Sequence, residues 1–423
     1  MPYNDEFDAP SGTNWAENHS YEAASVRRPA SAAEVRELIL GGGRVRALGS
    51  RHSFTDLADT AGHLVSLDRF ATDLVIDEDA ATASFAPGIR YGDLATQLND
   101  RGWALANLAS LPHISVAGAV ATGTHGSGDH NGTLSTSVAA IEFIDGSGEH
   151  VRLWRGDDDF AGAVVGLGAL GIVTRITLDI EPTFDVRQDL YNAVPWQAVL
   201  ENFDTITSSA YSVSLFTNWL GDDVQIAWLK SRTDQPLPPD DLFGASRQTE
   251  DEHMLPDQPA SNTTQQGGVP GPWNERLAHF KLGFTPSNGD ELQSEYLVPR
   301  HAIIEALTSI RAIGDRIAPH LLVTELRTMR ADDLWLSGAY ATDAVGVHFT
   351  WKKQPADVAA LLPTIEAILL PLGARPHWGK VFAAEVDQLA SLYPRFDDFR
   401  GLAAKYDPKG VFRNDFLRRK LGL

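Results

Sequence analysis

The sequence contains no cysteine among its 423 residues. Disulfide bonds, thiolate nucleophiles and cysteine-ligated metals are therefore excluded. Since reducing and harsh environments both suit a protein without cysteine, this absence says little about the compartment. We expect no metal site.

Positive charge is also scarce. The chain carries 35 lysine and arginine residues against 56 aspartate and glutamate residues, which gives a formal net charge of -21. This excess repels the phosphates of nucleic acids and the headgroups of anionic membranes, so neither is an expected partner. A neutral small molecule is compatible with the charge.

Signals for export or membrane insertion are missing as well. Residues 1–8 are acidic and lack the basic-then-apolar order of a signal peptide, and we expect no stretch long enough to span a bilayer. These features predict a soluble, cytoplasmic protein. The length exceeds the size at which one core keeps growing, so two domains are expected. Alternating runs mixed with helical periodicity in both halves predict the α+β class.

A turn-prone loop with one histidine follows an early apolar run. Residues 44–48 read as a strand, and Gly49-Ser50-Arg51-His52 comes directly after it. Backbone N–H groups at such a strand end are unpaired and can bind an anion such as a phosphate. From this motif alone, a tight loop with a surface histidine is the simpler interpretation.

A second glycine-rich segment, residues 166–171, matches the dinucleotide fingerprint G-x-G-x-x-G. That fingerprint needs a strand before it and a helix after it. Here apolar and polar residues alternate over residues 172–178, which is typical of a strand. We therefore reject a Rossmann-type nucleotide site at this position.

Two further segments have unusual composition. Residues 115–128 are almost all small, so the backbone there can approach a ligand closely. Residues 231–274 are polar and rich in proline. A loop of that length is uncommon in a compact domain unless it covers or walls a site, so a lid and a disordered flap both stay open.

Polar residues interrupt two apolar strands in the second half of the chain. Side chains alternate along a strand, so Glu325 and Arg327 share one face, as do His348 and Thr350. A solvated sheet face explains such pairs as well as a buried site does. Lys380 ends an aromatic-flanked turn, where an exposed lysine would be ordinary.

Together these motifs resemble those of the vanillyl-alcohol-oxidase (VAO) type flavoproteins and, within them, the alditol oxidases, which oxidise xylitol and sorbitol. The matching motifs occur in the right order and extend over nearly the whole chain. They span residues 45–54, 108–118, 121–128, 324–327, 348–351 and 375–380.

The resemblance implies a two-domain fold of the VAO/PCMH type. An FAD-binding domain would span residues 11–183. A substrate or cap domain with an antiparallel sheet would span residues 184–380. The C-terminal segment, residues 381–423, would return to the FAD domain.

The resemblance also implies FAD, held covalently through an 8α-histidyl bond to His52. Relatives generally have glycine where this chain has Arg51. The implied FAD-binding residues are His52, Ala47, Leu48, Gly49, Ser50, Arg51, Ser53, Phe54, Ser110, Ser115, Gly118, Ala119, Thr122, Gly123, Thr124, His125, Ile172, Val173, His377 and Asn414.

The activity implied by the resemblance is oxidation of the terminal primary hydroxyl of an alditol to an aldose, with O2 reduced to H2O2. Arg327, oriented by Glu325, would hold the C1 oxygen, and Lys380 or His348 would assist proton loss, with no single base chosen. The implied catalytic residues are Glu325, Arg327, Lys380 and His348, and the implied substrate-binding residues are Ser110, Glu325, Arg327, Thr350 and Lys380. Ala109 would line the approach of oxygen and leaves oxidase and dehydrogenase both open.

The nearest alternative is an aldonolactone oxidase or dehydrogenase of the gulono- or galactono-1,4-lactone type on the same scaffold. Two alternatives come from other classes: a flavin- or sugar-binding module without turnover, and a nicotinamide enzyme that uses residues 166–171. For the main interpretation we expect a monomer whose partners are a polyol and O2.

Overall fold

The structure is a computed structural model that describes residues 12–70, 73–255, 258–284 and 289–423. The acidic segment examined for a signal peptide, residues 1–8, lies outside the described residues. Helices and sheets occur in both halves of the chain, which confirms the predicted α+β class.

The N-terminal part contains a parallel and an antiparallel sheet. The three parallel strands are, in spatial order, Ser25–Arg27, His63–Ser66 and Val45–Leu48. The five antiparallel strands are Val75–Asp77, Thr82–Phe85, Gly171–Asp179, Val138–Asp145 and His150–Trp154. Two short strands, Trp103–Ala104 and Glu181–Pro182, pair beside them.

Short helices join these strands. The α-helices are Ala32–Leu40, Tyr91–Asn99, Val116–Ala121 and Phe160–Ala163, and the 3-10 helices are Asp56–Ala58 and Leu134–Ser137. The first helix begins after Ser31, whose side chain accepts a hydrogen bond from the Glu34 N–H.

A ten-stranded antiparallel sheet dominates the middle of the chain. In spatial order its strands are Asp241–Leu242, Ala245–Gln248, Asp185–Pro195, Asp223–Arg232, Ser212–Thr217, Leu321–Met329, Ala344–Lys352, Glu291–Pro299 and Arg375–Pro376, with Gly271–Pro272 also paired to the third of these. The α-helices of this part are Trp196–Glu201, Phe203–Thr207, Ile303–Arg311, Gly314–Ile317 and Pro355–Leu369; its 3-10 helices are Ala260–Asn262, Trp273–Glu275, Arg300–Ala302 and Leu370–Leu372.

The two faces of this sheet differ in chemistry because side chains alternate along each strand. Phe349 and Trp351 point to one face, where their rings stack 5.0 Å apart and Trp219 packs on Phe349. The intervening residues, His348 and Thr350, point to the other face, which is buried as well. The sheet therefore has an apolar core on one side and a buried polar surface on the other.

The C-terminal segment consists of three helices, Val386–Leu392, Phe396–Tyr406 and Asp415–Leu421. Its last residues pack against the N-terminal part, where Val45 donates a backbone hydrogen bond to the Val411 carbonyl at 2.9 Å. The buried guanidinium of Arg46 also donates to the Phe412 carbonyl at 2.9 Å. The tail thus returns to the first strands of the chain.

One helical stretch corrects the expectation on membrane spans. Residues Pro355–Leu372 are long and apolar enough to cross a membrane by length and composition alone. In the structure Leu361, Ile365 and Leu369 are buried against the protein core.

Candidate functional site

A cavity of about 1400 Å³ lies between the buried polar face of the large sheet and the N-terminal part. Pockets for single small molecules typically measure ~300–1000 Å³. The cavity therefore has room for a dinucleotide-sized group together with a small substrate.

Two loops of the N-terminal part meet at one wall of the cavity. Ser115 donates its backbone N–H to the Ser50 hydroxyl at 2.9 Å, and Ser50 donates its own N–H to the Ser115 hydroxyl at 3.3 Å. A Cβ atom at Gly49 would lie 2.6 Å from the Ser115 hydroxyl oxygen, so this approach requires glycine. The structure thus brings together the loop after the second strand and the small-residue segment.

Most of the implied FAD-binding residues line this cavity. They are Ala47, Leu48, Gly49, Ser50, Arg51, His52, Ser53, Phe54, Ser110, Ser115, Gly118, Ala119, Thr122, Thr124, His125, Val173 and His377. The glycine-rich run 166–171, rejected as a Rossmann fingerprint, also contributes most of its residues to the lining.

Three implied FAD-binding residues do not line the cavity. Ile172 is fully buried in a separate apolar cluster with Val35 and Ile144, because strand alternation turns it away from Val173. Gly123 follows the short helix in a left-handed turn (φ 65°). Asn414 caps the last helix and donates to the Leu57 carbonyl at 2.9 Å, which is a structural role.

His52 lies in the cavity wall with its ring stacked on Trp15 at 5.4 Å. Burial, followed by the nearby His113, lowers the pKa of His52 to about 4, so the ring is neutral at pH 7. Its Nδ1 atom is buried and has no hydrogen-bond partner among the described residues. A neutral imidazole with an unused ring nitrogen is suited to bond formation with an electrophilic carbon.

Arg51 takes the left-handed backbone conformation, with φ 62°, a conformation that favours glycine. Its guanidinium donates to the Thr13 carbonyl at 3.2 Å, and its own carbonyl accepts from the Trp15 N–H at 2.9 Å. The arginine therefore fastens the segment that carries Trp15 onto the His52 loop.

On the polar face of the large sheet, four side chains from four strands lie side by side in one row. Strand register pairs Phe216 with Glu325, Glu325 with His348, and His348 with Glu295. All four side chains line the cavity. The two polar pairs detected in the sequence are therefore adjacent, on a buried face and not on a solvated one.

Arg327 connects this row to the N-terminal part. Its Nη1 donates to the Ser110 hydroxyl at 3.0 Å, and its Nε lies 3.4 Å from Glu325 Oε2. Burial alone would raise the pKa of Glu325, but Arg327 and His279 hold that pKa well below its usual range. Glu325 is thus an ionised carboxylate at the cavity wall.

Sequence reasoning missed Glu295, which links Lys380 to both parts of the site. Its carboxylate accepts from Lys380 Nζ at 2.6 Å, lies 3.4 Å from Arg327 Nη2 and lies 3.1 Å from His125 Nε2. Burial would raise the pKa of Glu295, whereas Lys380, His125 and Arg327 hold it well below 4.5. Gln293 and Glu295 interrupt an apolar strand at period two, so the signal that revealed Glu325 was present here also.

His348 is a neutral group at the centre of the row. Burial and then the charge of Lys380 lower its pKa to about 4. Its Nδ1 lies 3.6 Å from Glu325 Oε2, which is too far for a hydrogen bond. Both ring nitrogens are buried without a hydrogen-bond partner in the described part of the chain, so they are available to a ligand. Thr350 lies two residues further along the same face.

The proline-rich segment contributes a wall. His253, Met254, Leu255, Gln258 and Asn262 line the cavity, and His279 and Phe280 follow them. The wall interpretation of this segment therefore agrees with the described residues, while residues 256 and 257 lie outside them. His279, which sequence reasoning did not select, lies 2.6 Å from Glu325.

The arrangement can bind a neutral, hydroxylated molecule. Two ionised carboxylates and the cations Arg327 and Lys380 balance one another, so no net charge has to be supplied by the ligand. Fixed donors and acceptors in a buried site favour a ligand that satisfies many of them at once. Cationic groups at the same position can stabilise an alkoxide as it forms.

Comparisons with known proteins agree with this geometry. A family model described as an FAD binding domain matches residues 23–153, and one described as D-arabinono-1,4-lactone oxidase matches residues 288–420. An alditol oxidase of Streptomyces sp. is 46% identical over 96% of this chain and 98% of its own length.

Two further comparisons give lower identities. An L-gulono-1,4-lactone dehydrogenase of Mycobacterium tuberculosis is 29% identical over 98% of this chain and 100% of its own length. Among solved structures, a solvent-stable cholesterol oxidase superposes with a TM-score of 0.78 over 100% of both chains at 18% identity, which supports the fold alone. The chain is a flavin-dependent oxidoreductase that belongs to the alditol oxidase family of VAO/PCMH-type FAD-binding proteins.

Proposed function

We propose that the protein oxidises the terminal primary hydroxyl of alditols such as xylitol and sorbitol to the aldose, with O2 reduced to H2O2. The observation that carries the proposal is the buried, charge-balanced row of Glu325, His348 and Glu295 with Arg327 and Lys380 beside it. Such a row offers both acceptors and donors to a flexible polyol.

FAD fits the cavity by size and by the chemistry of its wall. The two loops that meet at Ser50 and Ser115 would hold the pyrophosphate, and the run 166–171 with Val173 would lie along the flavin. When bound, FAD supplies the acceptor for the hydride that leaves C1.

We assign His52 as the covalent anchor of the flavin. A neutral ring, an unpartnered Nδ1 and a place in the cavity wall support this assignment. His52→Ala should leave all flavin in the supernatant after acid precipitation, whereas the wild-type pellet stays yellow. Wild-type flavin that washes off completely would overturn the covalent bond without affecting the proposed activity.

In the proposed reaction, Arg327 holds the C1 oxygen and stabilises the alkoxide, and Ser110 and Glu325 orient the guanidinium. Lys380, fixed by Glu295, adds a second positive charge. His348 takes the hydroxyl proton in this scheme, because it is neutral at pH 7 and both of its ring nitrogens lack other partners. Thr350 and Glu325 receive hydroxyls further along the polyol.

The test is steady-state turnover with sorbitol, in which oxygen uptake, peroxide formation and aldose release are measured. The three amounts should be equal. Arg327→Ala should lower the rate by roughly a hundredfold or more, since one preorganised charge donor is removed from the forming alkoxide. Flavin that is reduced by sorbitol but reacts with oxygen no faster than free flavin would identify a dehydrogenase. Ala109, buried at the cavity wall, is compatible with either result.

A lactone oxidase or dehydrogenase is the second candidate because the C-terminal third matches the arabinonolactone oxidase model. The higher identity to the alditol oxidase favours the polyol.

We further propose that the protein is a cytoplasmic monomer that needs neither nucleic acid nor membrane, with domains at residues 11–183 and 184–380 and a returning segment at 381–423. The net charge of -21 supports solubility without anionic partners. Light scattering and cell fractionation test the monomer and the location, and limited proteolysis tests the domain boundaries.

A further inference from the structure

Glu325 receives a hydrogen bond from a residue outside the strands of the site. His279 Nε2 lies 2.6 Å from Glu325 Oε1, and both side chains are almost completely buried, with 6% and 5% exposed. An ionised carboxylate can only accept hydrogen bonds. The Nε2 atom of His279 must therefore carry the proton that it donates.

The other nitrogen of the same ring faces a lysine. His279 Nδ1 lies 3.3 Å from Lys230 Nζ. Burial lowers the pKa of His279 to about 4, so the ring is neutral and holds a single proton at pH 7. An ammonium has donors and no acceptor, so Nδ1 accepts and the proton stays on Nε2.

Lys230 is itself fixed by the backbone. Its Nζ donates to the carbonyl oxygens of Arg276, Leu277 and Ala278 at 2.8, 2.7 and 2.8 Å. Three carbonyl acceptors match the three N–H donors of an ammonium, which favours the charged form although burial lowers the pKa of Lys230 to about 7. The contact from Lys230 Nζ to His279 Nδ1, at 3.3 Å, is longer, and one ammonium proton is shared between a carbonyl oxygen and Nδ1.

Aromatic residues hold the imidazole in place. The Trp228 ring lies 5.1 Å from the His279 ring in an edge-on contact, and the Phe216 ring lies 5.9 Å away. The ring therefore presents one edge to Lys230 and the opposite edge to Glu325.

We propose that Lys230 and His279 are positioning residues that hold the Glu325 carboxylate for the substrate. Lys230 keeps Nδ1 of His279 unprotonated, and His279 donates from Nε2 to Glu325 Oε1 so that Oε2 is left for a substrate hydroxyl. This proposal rests on the polyol oxidase function proposed above. It assigns a role in recognition to two residues outside the catalytic row, of which His279 lines the cavity and Lys230 does not.

The tautomer is tested first, without any substrate. Nitrogen NMR of the holoenzyme with ¹⁵N-labelled histidine should show His279, identified by loss of its signals in His279→Gln, as the Nε2–H form. In Lys230→Met the Nε2–H should stay, because Glu325 still accepts it, but the charge of Lys230 no longer opposes protonation, so Nδ1 should take up a second proton at a higher pH than in the wild type. A wild-type ring in the Nδ1–H form, or a Lys230→Met ring identical to the wild type, would overturn the proposal. If Lys230→Met does not fold, Lys230→Gln, which keeps one donor, replaces it, and it should leave the Nε2–H form in place.

Substrate binding is tested second, by anaerobic flavin reduction at increasing sorbitol concentration. His279→Leu should raise the apparent Kd about 10- to 100-fold, the effect of losing a hydrogen bond to a charged group, while the limiting rate changes far less. His279→Gln should recover most of the affinity, because its amide N–H can replace Nε2–H. A merely structural role predicts no such rescue and no separation of Kd from rate.

His320→Leu is the matched control. Its ring lies outside the cavity and pairs with Gln354 at 2.7 Å, so sorbitol binding should not change. Equal affinity of His279→Leu and the wild type, or equally weak binding of His279→Gln and His279→Leu, would contradict the proposal. Failure of every variant and of the wild type to react with polyols would overturn the proposed function, whereas the NMR result would still decide the tautomer.

Discussion

Replacing Glu295 by glutamine removes one negative charge from a buried ion pair of the site. Lys380 Nζ lies 2.6 Å from the Glu295 carboxylate, whose side chain is 1% exposed. Burial lowers the pKa of Lys380, and Glu295 is the main group that opposes this decrease, while Arg327 reinforces it. In Glu295→Gln the pKa of Lys380 should therefore fall further.

The expected loss of stability is about 3 kcal/mol, at the lower end of the ~3–5 kcal/mol found when one partner of a buried pair is removed. Glutamine keeps an oxygen that can accept from Lys380, which limits the effect. The limiting rate of anaerobic flavin reduction should decrease as pH rises and Lys380 loses its proton, and this decrease should occur at a lower pH in the variant than in the wild type.

Glu366→Gln is the control for this prediction. Glu366 is a buried carboxylate that accepts from the Tyr296 hydroxyl at 2.8 Å, on the opposite face of the strand that carries Glu295. The pH dependence of the limiting rate of flavin reduction in Glu366→Gln should match that of the wild type. A Glu295→Gln profile that superimposes on the wild type would refute the role assigned to the Glu295–Lys380 pair.

Three further predictions concern other parts of the molecule. Ser110→Ala removes the acceptor that Arg327 Nη1 uses at 3.0 Å, so the apparent Kd for sorbitol should rise roughly tenfold; an unchanged Kd would argue against this orientation of Arg327. Arg51→Gly relieves the strain of a left-handed backbone, which costs about 1–2 kcal/mol, but loses the hydrogen bond to the Thr13 carbonyl. Denaturant melts should therefore show a net change in the free energy of unfolding below about 1 kcal/mol. A larger loss of stability would mean that the contacts of the arginine side chain outweigh the backbone strain. Burial raises the pKa of Asp332 to about 6, so its protonated form stabilises the folded state at low pH, and this contribution to the free energy of unfolding, up to about 3 kcal/mol, is lost as pH rises through 6. Thermal melts of Asp332→Asn at several pH values should lack this loss. A loss identical to that of the wild type would contradict the raised pKa of Asp332.

Much of the fold follows from patterns that the sequence shows directly. Period-two alternation predicts that Glu325 and Arg327 share a face with a common environment, and both line the cavity. The same alternation places Gln293 and Glu295 on one face of the strand Glu291–Pro299, but alternation alone does not distinguish a buried polar face from a solvated one until the neighbouring strands are known.

Other parts of the site depend on contacts that no local pattern encodes. His279 contacts Glu325 across a separation of 46 residues in the sequence, and Trp15, which also lines the cavity, stacks on His52 across 37 residues. Ile172 is a residue that the sequence resemblance selects and the structure places elsewhere. The resemblance implies that Ile172 lines the flavin, but strand alternation directs its side chain into the core, and Val173 lines the cavity instead.

The most direct test of the central claim is anaerobic reduction of the bound flavin by a panel of xylitol, sorbitol and L-gulono-1,4-lactone, without added nicotinamide. We predict rapid bleaching of the flavin by the two polyols and slow or no bleaching by the lactone. Bleaching by the lactone in preference to both polyols would contradict the account and identify a lactone enzyme on the same scaffold.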